Sequence, residues 1–438
     1  MTSASRNRGW VVTFSGTGIN LALGILYTWS IFKEAIKKSI ETGGPGSFNW
    51  SPASLNDPYA ICCIVFAFTM ILAGKCQDKI GPRITAIIGG ILVGIGFIWI
   101  SQTASYIVWI LGFGVLAGVG IGFGYASATP PALKWFPPAR TGLIAGLVVS
   151  GFGLASVYIA PLSKYLVGVW GLQSAMLFFG VAFFIVVCGL ALLLTNPPQG
   201  YVPGTSTADT NPAAPVLEDA FSPGQMLKTG SFYIIWLSYF IGAGAGLMVI
   251  GSVAGMAKKS LGEMAFLVVA LMAVGNASGR ILAGIISDRI GRKLTLVIML
   301  TFQAVLMFIA IPLMKVNSAV ALVVLTTIIG FNYGTNLALF PSFTKDYWGL
   351  RDFGINYGLV FTAWGVGGFV MGRLSQMLKT ATGSFDSSFI LAGIMLLVGA
   401  GLALTLKRRK GPIEEMIAPM VSTVATNQAE RGPSQTSD

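Results

Sequence analysis

The sequence contains the same ten-residue pattern twice, half a chain apart. Gly-Lys-Cys-Gln-Asp-Lys-Ile-Gly-Pro-Arg occupies 74–83 and Gly-Ile-Ile-Ser-Asp-Arg-Ile-Gly-Arg-Lys occupies 284–293, a spacing of 210 positions. A second match consists of a proline and an arginine ten positions apart. Pro130 and Arg140 correspond to Pro341 and Arg351, at a spacing of 211. Two independent matches at nearly one spacing indicate an internal duplication. The chain should therefore fold as two like halves, each with its own copy of the repeated loop.

The composition places these halves in a membrane. Hydrophobic residues make up 54% of the chain and charged residues 10%, whereas a soluble domain has about 25% charged residues. A helix needs about 20 apolar residues to cross the hydrocarbon. The sequence offers twelve such runs, at 9–32, 57–77, 84–102, 106–128, 141–166, 172–195, 231–252, 264–286, 293–314, 318–341, 354–379 and 387–407. We therefore predict an all-α membrane protein with twelve transmembrane helices in two pseudo-symmetric six-helix bundles.

The polar segments predict the domain boundaries and the orientation. Residues 1–195 form the N-terminal bundle and 229–407 the C-terminal bundle, joined by a cytoplasmic linker at 196–228 that is rich in Pro, Gly, Ser and Thr. The polar segment 408–438 is expected to be a disordered cytoplasmic tail. Most of the 28 lysines and arginines fall inside if both termini are cytoplasmic, as the positive-inside rule requires. We expect a multi-pass protein of the plasma (inner) membrane.

Several classes of function are excluded or disfavoured. The chain has no histidine, which removes histidine-based catalysis, metal sites and proton relays. The four cysteines lack metal-ligand spacing and are expected to be reduced packing residues. Gly74-Lys75 lacks the rest of a P-loop, and no acidic residue lies at the centre of a predicted span. The net charge of +12 fits a basic face near anionic lipid and does not require nucleic acid. We expect no enzymatic activity, no cofactor and no metal.

Arg280 is the one basic residue clearly inside a predicted span. Such a charge costs at least ~2.5–3.5 kcal/mol on insertion scales and therefore indicates a functional site. Its helical face is small and polar, since Ala273, Asn276, Gly284 and Ser287 share it. The opposite face is apolar, with Leu271, Val274, Leu282 and Ile285. An unpaired guanidinium facing a cavity can bind a carboxylate bidentately. The alternative is that Arg280 snorkels to the cytoplasmic interface.

Other residues are weaker candidates for the same pocket. Asn276 lies one turn from Arg280 and either lines the pocket or forms a hydrogen bond between helices. Aromatic residues in four predicted helices either line the pocket or serve as packing and interfacial residues, namely Tyr27, Tyr125, Tyr333, Phe361 and Trp364. An internal repeat of this kind is typical of transporters, whose substrate site lies where the two halves meet.

The repeated loops predict a gate. Asp78 and Asp288 can cap helices or form salt bridges across the short cytoplasmic turns, and the loop glycines permit tight turning. Such contacts would hold one side of the protein shut and would break when it opens. The candidate gating residues are Gly74, Asp78, Arg83, Gly284, Asp288 and Arg292.

These loops resemble the signature that joins helices two and three, and eight and nine, in the major facilitator superfamily. The resemblance covers residues 9–407 and implies alternating access between two six-helix bundles. The sequence is also similar to oxalate–formate antiporters and monocarboxylate carriers in four stretches: Tyr27-Thr28-Trp29, Trp135-Phe136-Pro137, Asn276-x-x-x-Arg280 and Asn356-Tyr357-Gly358-Leu359. This similarity implies that Arg280 binds the substrate carboxylate and that Tyr27 and Tyr125 belong to the pocket.

Departures from the family pattern narrow the expected substrate. Oxalate exchangers have a second cation, a lysine, where this chain has Trp364, and a polar residue where it has Leu26. One buried cation suits a monocarboxylate, because a dianion would leave a charge unpaired at a cost of several kcal/mol. Animal carriers that move a proton have an aspartate at the position of Asn276. The family implies proton coupling here without its usual acceptor, and Asp57 or a proton carried on the anion are the substitutes.

We therefore expect a monomeric secondary transporter of small monocarboxylates, L-lactate or pyruvate-like, that moves a proton in symport. The first alternative is an oxalate/formate-type carboxylate antiporter. A membrane enzyme and a substrate sensor without transport are the alternatives from other classes.

Overall fold

The computed structural model describes residues 3–44, 46–198, 200–201, 203, 220–261, 265–316 and 318–407, with no side-chain detail for 3–6, 52–53, 251–261 and 265–267. Most of the predicted linker, 204–219, and the predicted tail 408–438 lie outside the described residues. All regular secondary structure in the described ranges is helical.

The first half consists of α1 Ser3–Leu23, α2 Trp29–Thr42, α3 Asp57–Ile80, α4 Pro82–Ile100, α5 Tyr106–Trp109, α6 Gly118–Lys134 and α7 Thr141–Ala191. A 3₁₀ segment, Gly24–Thr28, joins α1 to α2, and a π-helical segment, Ile110–Ala117, joins α5 to α6. Short 3₁₀ turns occupy Pro52–Asn56 and Pro138–Arg140.

The second half begins with α8 Pro223–Met226, whose N-terminus is closed by a capping box between Ser222 and Gln225. It continues with α9 Gly230–Leu261, α10 Ala265–Ile290, α11 Arg292–Lys315, α12 Ala319–Trp348, α13 Phe353–Thr382 and α14 Asp386–Leu404. Gly81 and Gly291 are corresponding residues of the repeat, and both have the positive φ needed for the sharp turn between consecutive helices, 87° and 88° respectively.

Eleven helical segments of the described chain are long and apolar enough to cross a membrane. One of them, Pro138–Ala191, contains 54 residues and would extend about 80 Å as a straight helix, far beyond the ~30 Å hydrocarbon core. Its backbone is broken at Gly171, which has φ 81° and ψ 166°. The two spans predicted at 141–166 and 172–195 lie on either side of this residue, so the chain makes the twelve predicted crossings.

Several predicted runs are shorter than the helices that contain them, and two differ most. The run predicted at 9–32 continues as helix to Thr42, and the run predicted at 231–252 continues to Leu261. The added ends include three lysines and two glutamates at 33–42 and two lysines at 258–259, which hydropathy alone would place outside the bilayer. Helical geometry thus extends past the apolar segment at these ends.

The halves meet along two equivalent helix pairs, α3 with α13 and α7 with α10. A Cβ atom at Gly74 would overlap the main-chain oxygen of Gly354, and one at Gly284 would overlap that of Gly142. Because glycine has no side chain, the two backbones can approach closely at these positions. The duplication therefore places the two repeated loops at the same end of the protein, which we call the loop side.

Candidate functional site

Arg280 in α10 is fully buried and contacts both halves of the protein. Its Nε donates to Oδ1 of Asn276 at 2.9 Å, and its Nη1 donates to the main-chain oxygen of Val149 in α7. The absence of a side chain at Gly153 leaves room for the guanidinium against α7. Among the described residues, Nη2 has no hydrogen-bond partner. The site therefore offers one buried, charged donor that makes no hydrogen bond of normal geometry, with the Tyr27 hydroxyl close to the guanidinium.

The surroundings of Arg280 match the two predicted helix faces. Ala273, Asn276 and Ser287 are buried. On the opposite face, Leu271, Val274 and Leu282 are exposed, and Ile285 is half-buried. Because the guanidinium itself has no exposed surface, Arg280 does not snorkel to the interface in this structure.

A short chain of hydrogen bonds runs across the halves beside Arg280. The hydroxyls of Tyr27 and Tyr333 are 3.0 Å apart, and Nε1 of Trp364 donates to the Tyr333 hydroxyl at 2.8 Å. Both tyrosines lie within electrostatic reach of the Arg280 charge. Tyr27 comes from the first half and the other two residues from the second, so the chain depends on how the halves sit together.

Aromatic rings form an apolar wall next to these polar groups. Phe361 stacks on Trp364 with ring centres 5.2 Å apart, and its centre lies 5.3 Å from that of Tyr125. Two residues that were not predicted complete the wall: Phe66 lies 5.1 Å from Phe361, and Phe152 lies 5.6 Å from Tyr125. The wall combines rings from both halves and presents an apolar surface beside the polar groups.

The loop side is closed by two aspartates that act as helix caps for the opposite half. Asp78 accepts hydrogen bonds from the backbone N–H groups of Gly354 and Ile355, both at 3.0 Å. These are N–H groups of the first turn of α13, which have no partner within their own helix. A carboxylate there also interacts favourably with the positive end of the helix dipole. We call this contact the first latch.

The second latch repeats this geometry with the halves exchanged. Asp288 accepts from the N–H groups of Gly142 at 2.8 Å and Leu143 at 2.9 Å, in the first turn of α7. It also pairs with Arg292 at 2.6 Å, and Arg292 in turn binds Asp346 at 2.9 Å. Both latches hold the first half to the second, so they must break before the loop side can open.

Sequence comparisons agree with this architecture. A family model described as Major Facilitator Superfamily matches residues 9–372 and, a second time, residues 235–420. The chain belongs to the Major Facilitator Superfamily. The resemblance predicted from the repeated loops is thereby confirmed, and the second match begins in the second half, as a duplication requires.

Similar members of the superfamily cover nearly the whole chain. An oxalate:formate antiporter from Oxalobacter formigenes is 27% identical over 90% of this chain and 90% of its own length. Monocarboxylate transporter 13 from Rattus norvegicus is 26% identical over 91% and 89% respectively. Among solved structures, a proton:xylose symporter, XylE, superposes with a TM-score of 0.68 and 14% identity, over 92% of this chain and 96% of that chain. This similarity to XylE shows a shared fold.

The structure brings together all seven predicted pocket residues, because each is linked to Arg280 either directly or through contacts with the others. Five of the six predicted gate residues lie in or beside the latches: Gly74, Asp78, Gly284, Asp288 and Arg292. The sixth, Arg83, is exposed. The partners of the aspartates were not predicted, because they are main-chain N–H groups, which every residue except proline has whatever its side chain. Phe66 could have been predicted from the repeat. It lies 210 positions before Asn276 and therefore occupies the equivalent position in the first half.

Proposed function

We propose that this protein is a secondary active transporter of small monocarboxylates, such as L-lactate or pyruvate, and that Arg280 holds the substrate carboxylate. The observation that carries the proposal is the buried guanidinium with an unpartnered Nη2. A buried charge without an opposite charge is costly, and an arriving carboxylate offsets that cost while forming charge-assisted hydrogen bonds. Relatives that transport carboxylates by name support the assignment of the substrate class.

The surroundings favour one carboxylate attached to a small organic group. Trp364 lies on the wall where a second cation would be needed, and its indole N–H is already used by Tyr333. Rings of Phe361 and Phe66 supply apolar surface for the rest of the substrate. A dianion would leave one carboxylate without a cation in this environment, which is unfavourable in a low dielectric.

The contacts of Arg280 also connect binding with movement of the halves. Its Nη1 binds the main-chain oxygen of Val149 in the other half. A carboxylate that competes for the guanidinium weakens this link, and rupture of the two latches then lets the halves rock around the substrate. Alternating access requires differential contacts of this kind in the two states.

Proton symport is part of the proposal, although within the described part of the chain no acidic side chain pairs with Arg280. Asp57 lies at the first residue of α3, the end away from the loop side, where the Tyr106 hydroxyl donates to it at 2.7 Å. Among the described residues, no ion pair involves Arg280. The proton would therefore move with the anion and not on a carboxylate of the pocket.

The same observation favours a second candidate, carboxylate exchange. Without an acidic partner, the empty carrier would have to reorient with an unpaired charge in its interior, which is costly. If that step is slow, transport occurs only when a second anion occupies the site for the return. Exchange then becomes obligatory even though the substrate site is the same.

Uptake of labelled L-lactate into proteoliposomes tests both proposals. Symport predicts accumulation that is driven by an inward proton gradient, without internal substrate and without inhibition by oxalate. Exchange predicts uptake only into vesicles loaded with a carboxylate. Arg280→Ala should abolish uptake in either case, whereas Arg373→Ala, at an exposed arginine of α13, should not. Normal lactate affinity in Arg280→Ala would refute the anion site.

A further inference from the structure

Three tyrosine hydroxyls form a second polar cluster near Arg280, which we call the tyrosine triad: Tyr125 in α6, Tyr239 in α9 and Tyr357 in α13. All three side chains are at most 2% exposed. The Tyr357 hydroxyl is close to the hydroxyls of both other tyrosines. Nevertheless, none of the three makes a hydrogen bond of normal geometry within the described part of the chain. Buried hydroxyls that make no hydrogen bond of normal geometry are unfavourable and call for an explanation.

The triad is continuous with the pocket at Arg280. Tyr125 and Tyr239 both lie within electrostatic reach of the Arg280 charge. The Phe361 ring contacts all three members of the triad, with ring-centre distances of 5.3 Å to Tyr125, 6.2 Å to Tyr239 and 5.7 Å to Tyr357. One wall of the carboxylate site is therefore also a wall of the triad. A ligand bound at Arg280 has the triad as a neighbour.

Packing does not explain the hydroxyls. Tyr239 stacks on Phe340 with ring centres 4.0 Å apart and an interplanar angle of 12°, a contact that a phenylalanine ring would make equally well. Tyr357 contacts the ring of Phe353 at 5.8 Å in the same manner. The rings serve the core, and the oxygens remain available. The triad also joins one residue of the first half to two of the second, so its spacing changes as the halves rock.

We propose that the tyrosine triad is an oxygen-binding subsite of the carboxylate pocket. It selects short carboxylates that carry a hydroxyl or keto oxygen, such as 2-hydroxy and 2-oxo acids, over unsubstituted acids of equal length. This inference rests on the proposed function of Arg280 and adds the substrate class. A site that hydrogen-bonds a substrate oxygen discriminates against the analogue without it, because its own polar groups then stay unpaired.

Thermal unfolding of the purified protein with increasing L-lactate, pyruvate or propionate tests the subsite, since a bound ligand raises the unfolding temperature. Propionate has the same length as lactate but lacks the second oxygen. Wild type should half-saturate with lactate at about one tenth of the propionate concentration, as one hydrogen bond predicts. In Tyr357→Phe and Tyr239→Phe, lactate should require as much as propionate. Tyr233→Phe, at a 60%-exposed tyrosine of α9, should keep the wild-type ratio.

The outcomes separate this inference from the proposed function. Equal affinity of wild type for lactate and propionate, or a retained ratio in both phenylalanine variants, would mean that water alone fills the triad. Equal loss of both acids in the variants, or lower unfolding temperatures without ligand, would assign the hydroxyls a structural role. If no carboxylate stabilises wild type, the anion site at Arg280 fails as well. Tyrosine variants that lose selectivity but keep propionate binding would support the subsite.

Discussion

Helices α3 and α10 occupy equivalent places in the two halves, but only α10 carries the polar site. The repeat spacing of 210 positions pairs Arg280 with Met70 and Asn276 with Phe66. All four side chains are at most 5% exposed. At these two positions the first half presents an apolar side chain and the second half a polar one. The duplicated helices are equivalent in place, and the proposed anion site lies on only one of them.

The backbone contacts of these residues are equivalent in the two halves. The main-chain oxygen of Met70 lies against Gly358 of α13, and that of Arg280 lies against Gly146 of α7. Closure between the halves depends on such glycine contacts and on main-chain hydrogen bonds, which tolerate changes in the other side chains. The two helices therefore share the backbone contacts between the halves and differ in the side chains of the proposed substrate site.

The latches show a smaller asymmetry of the same kind. Lys134 and Lys345 correspond at a spacing of 211, so a lysine accompanies both. Arg292, which pairs with Asp288 and Asp346, corresponds to the uncharged Pro82 in the first copy. The second latch thus includes an arginine-centred ion-pair network at a position where the first copy has a proline.

The largest effect is expected when α10 is made like α3. Arg280→Met should remove carboxylate uptake, with a loss of at least about 100-fold, because charge-assisted bonds to the anion disappear. It should also stabilise the substrate-free protein by about 1–4 kcal/mol, since an unpaired buried charge is replaced by an apolar side chain. Uptake and unfolding temperature measure the two effects. A lower unfolding temperature would identify Arg280 as a structural residue.

The next effect concerns the latches. Asp288→Asn should destabilise the closed loop side by about 2–3 kcal/mol, because it removes the charge shared by two N–H groups and Arg292. Asp78→Asn should cost less, about 1–2 kcal/mol, since the first copy has a proline in place of the arginine that pairs with Asp288. Maleimide labelling of a cysteine placed at the buried Ala145 reports opening. Equal labelling rates in both variants would mean that the Arg292 network adds nothing to closure.

The glycine contacts should behave symmetrically, in contrast to the aspartates. Gly74→Ala and Gly284→Ala each introduce a Cβ that overlaps a main-chain oxygen of the other half, at an expected cost of about 1–3 kcal/mol. The same labelling assay should give similar rates for both. Gly189→Ala, where nothing lies within 4 Å of the added atom, is the matched control. A difference between the first two variants would show that the backbones have diverged.

Sequence patterns predicted the features that depend on a regular spacing of similar side chains along a helix. Apolar runs predicted the crossings, and the spacing of Ala273, Asn276 and Ser287 predicted the buried face of α10. The break at Gly171 was also implied by the gap between two runs. These predictions succeed because lipid allows few solutions: each crossing must be helical, and a polar face must turn away from lipid.

Long-range partners could not be predicted in the same way. Asp78 binds main-chain groups of Gly354 and Ile355, and any residue there would offer the same N–H groups. Phe66 and Phe152 are apolar residues in apolar helices, so nothing in their own segments distinguishes wall from core. Which ring meets which depends on how the two halves dock, and that information lies in tertiary contacts.

The smallest expected effect concerns the hydrogen bonds between the halves. Tyr27→Phe removes one hydroxyl but leaves Tyr333 bonded to Trp364, so it should cost about 0.5–1 kcal/mol. Tyr333→Phe leaves both partners without their shared bond and should cost about 1–3 kcal/mol. Unfolding temperatures without substrate measure this order. If Tyr27→Phe were the more harmful, the bond across the halves would matter more than the bond within the second half, and closure would depend on the pocket as well as on the latches.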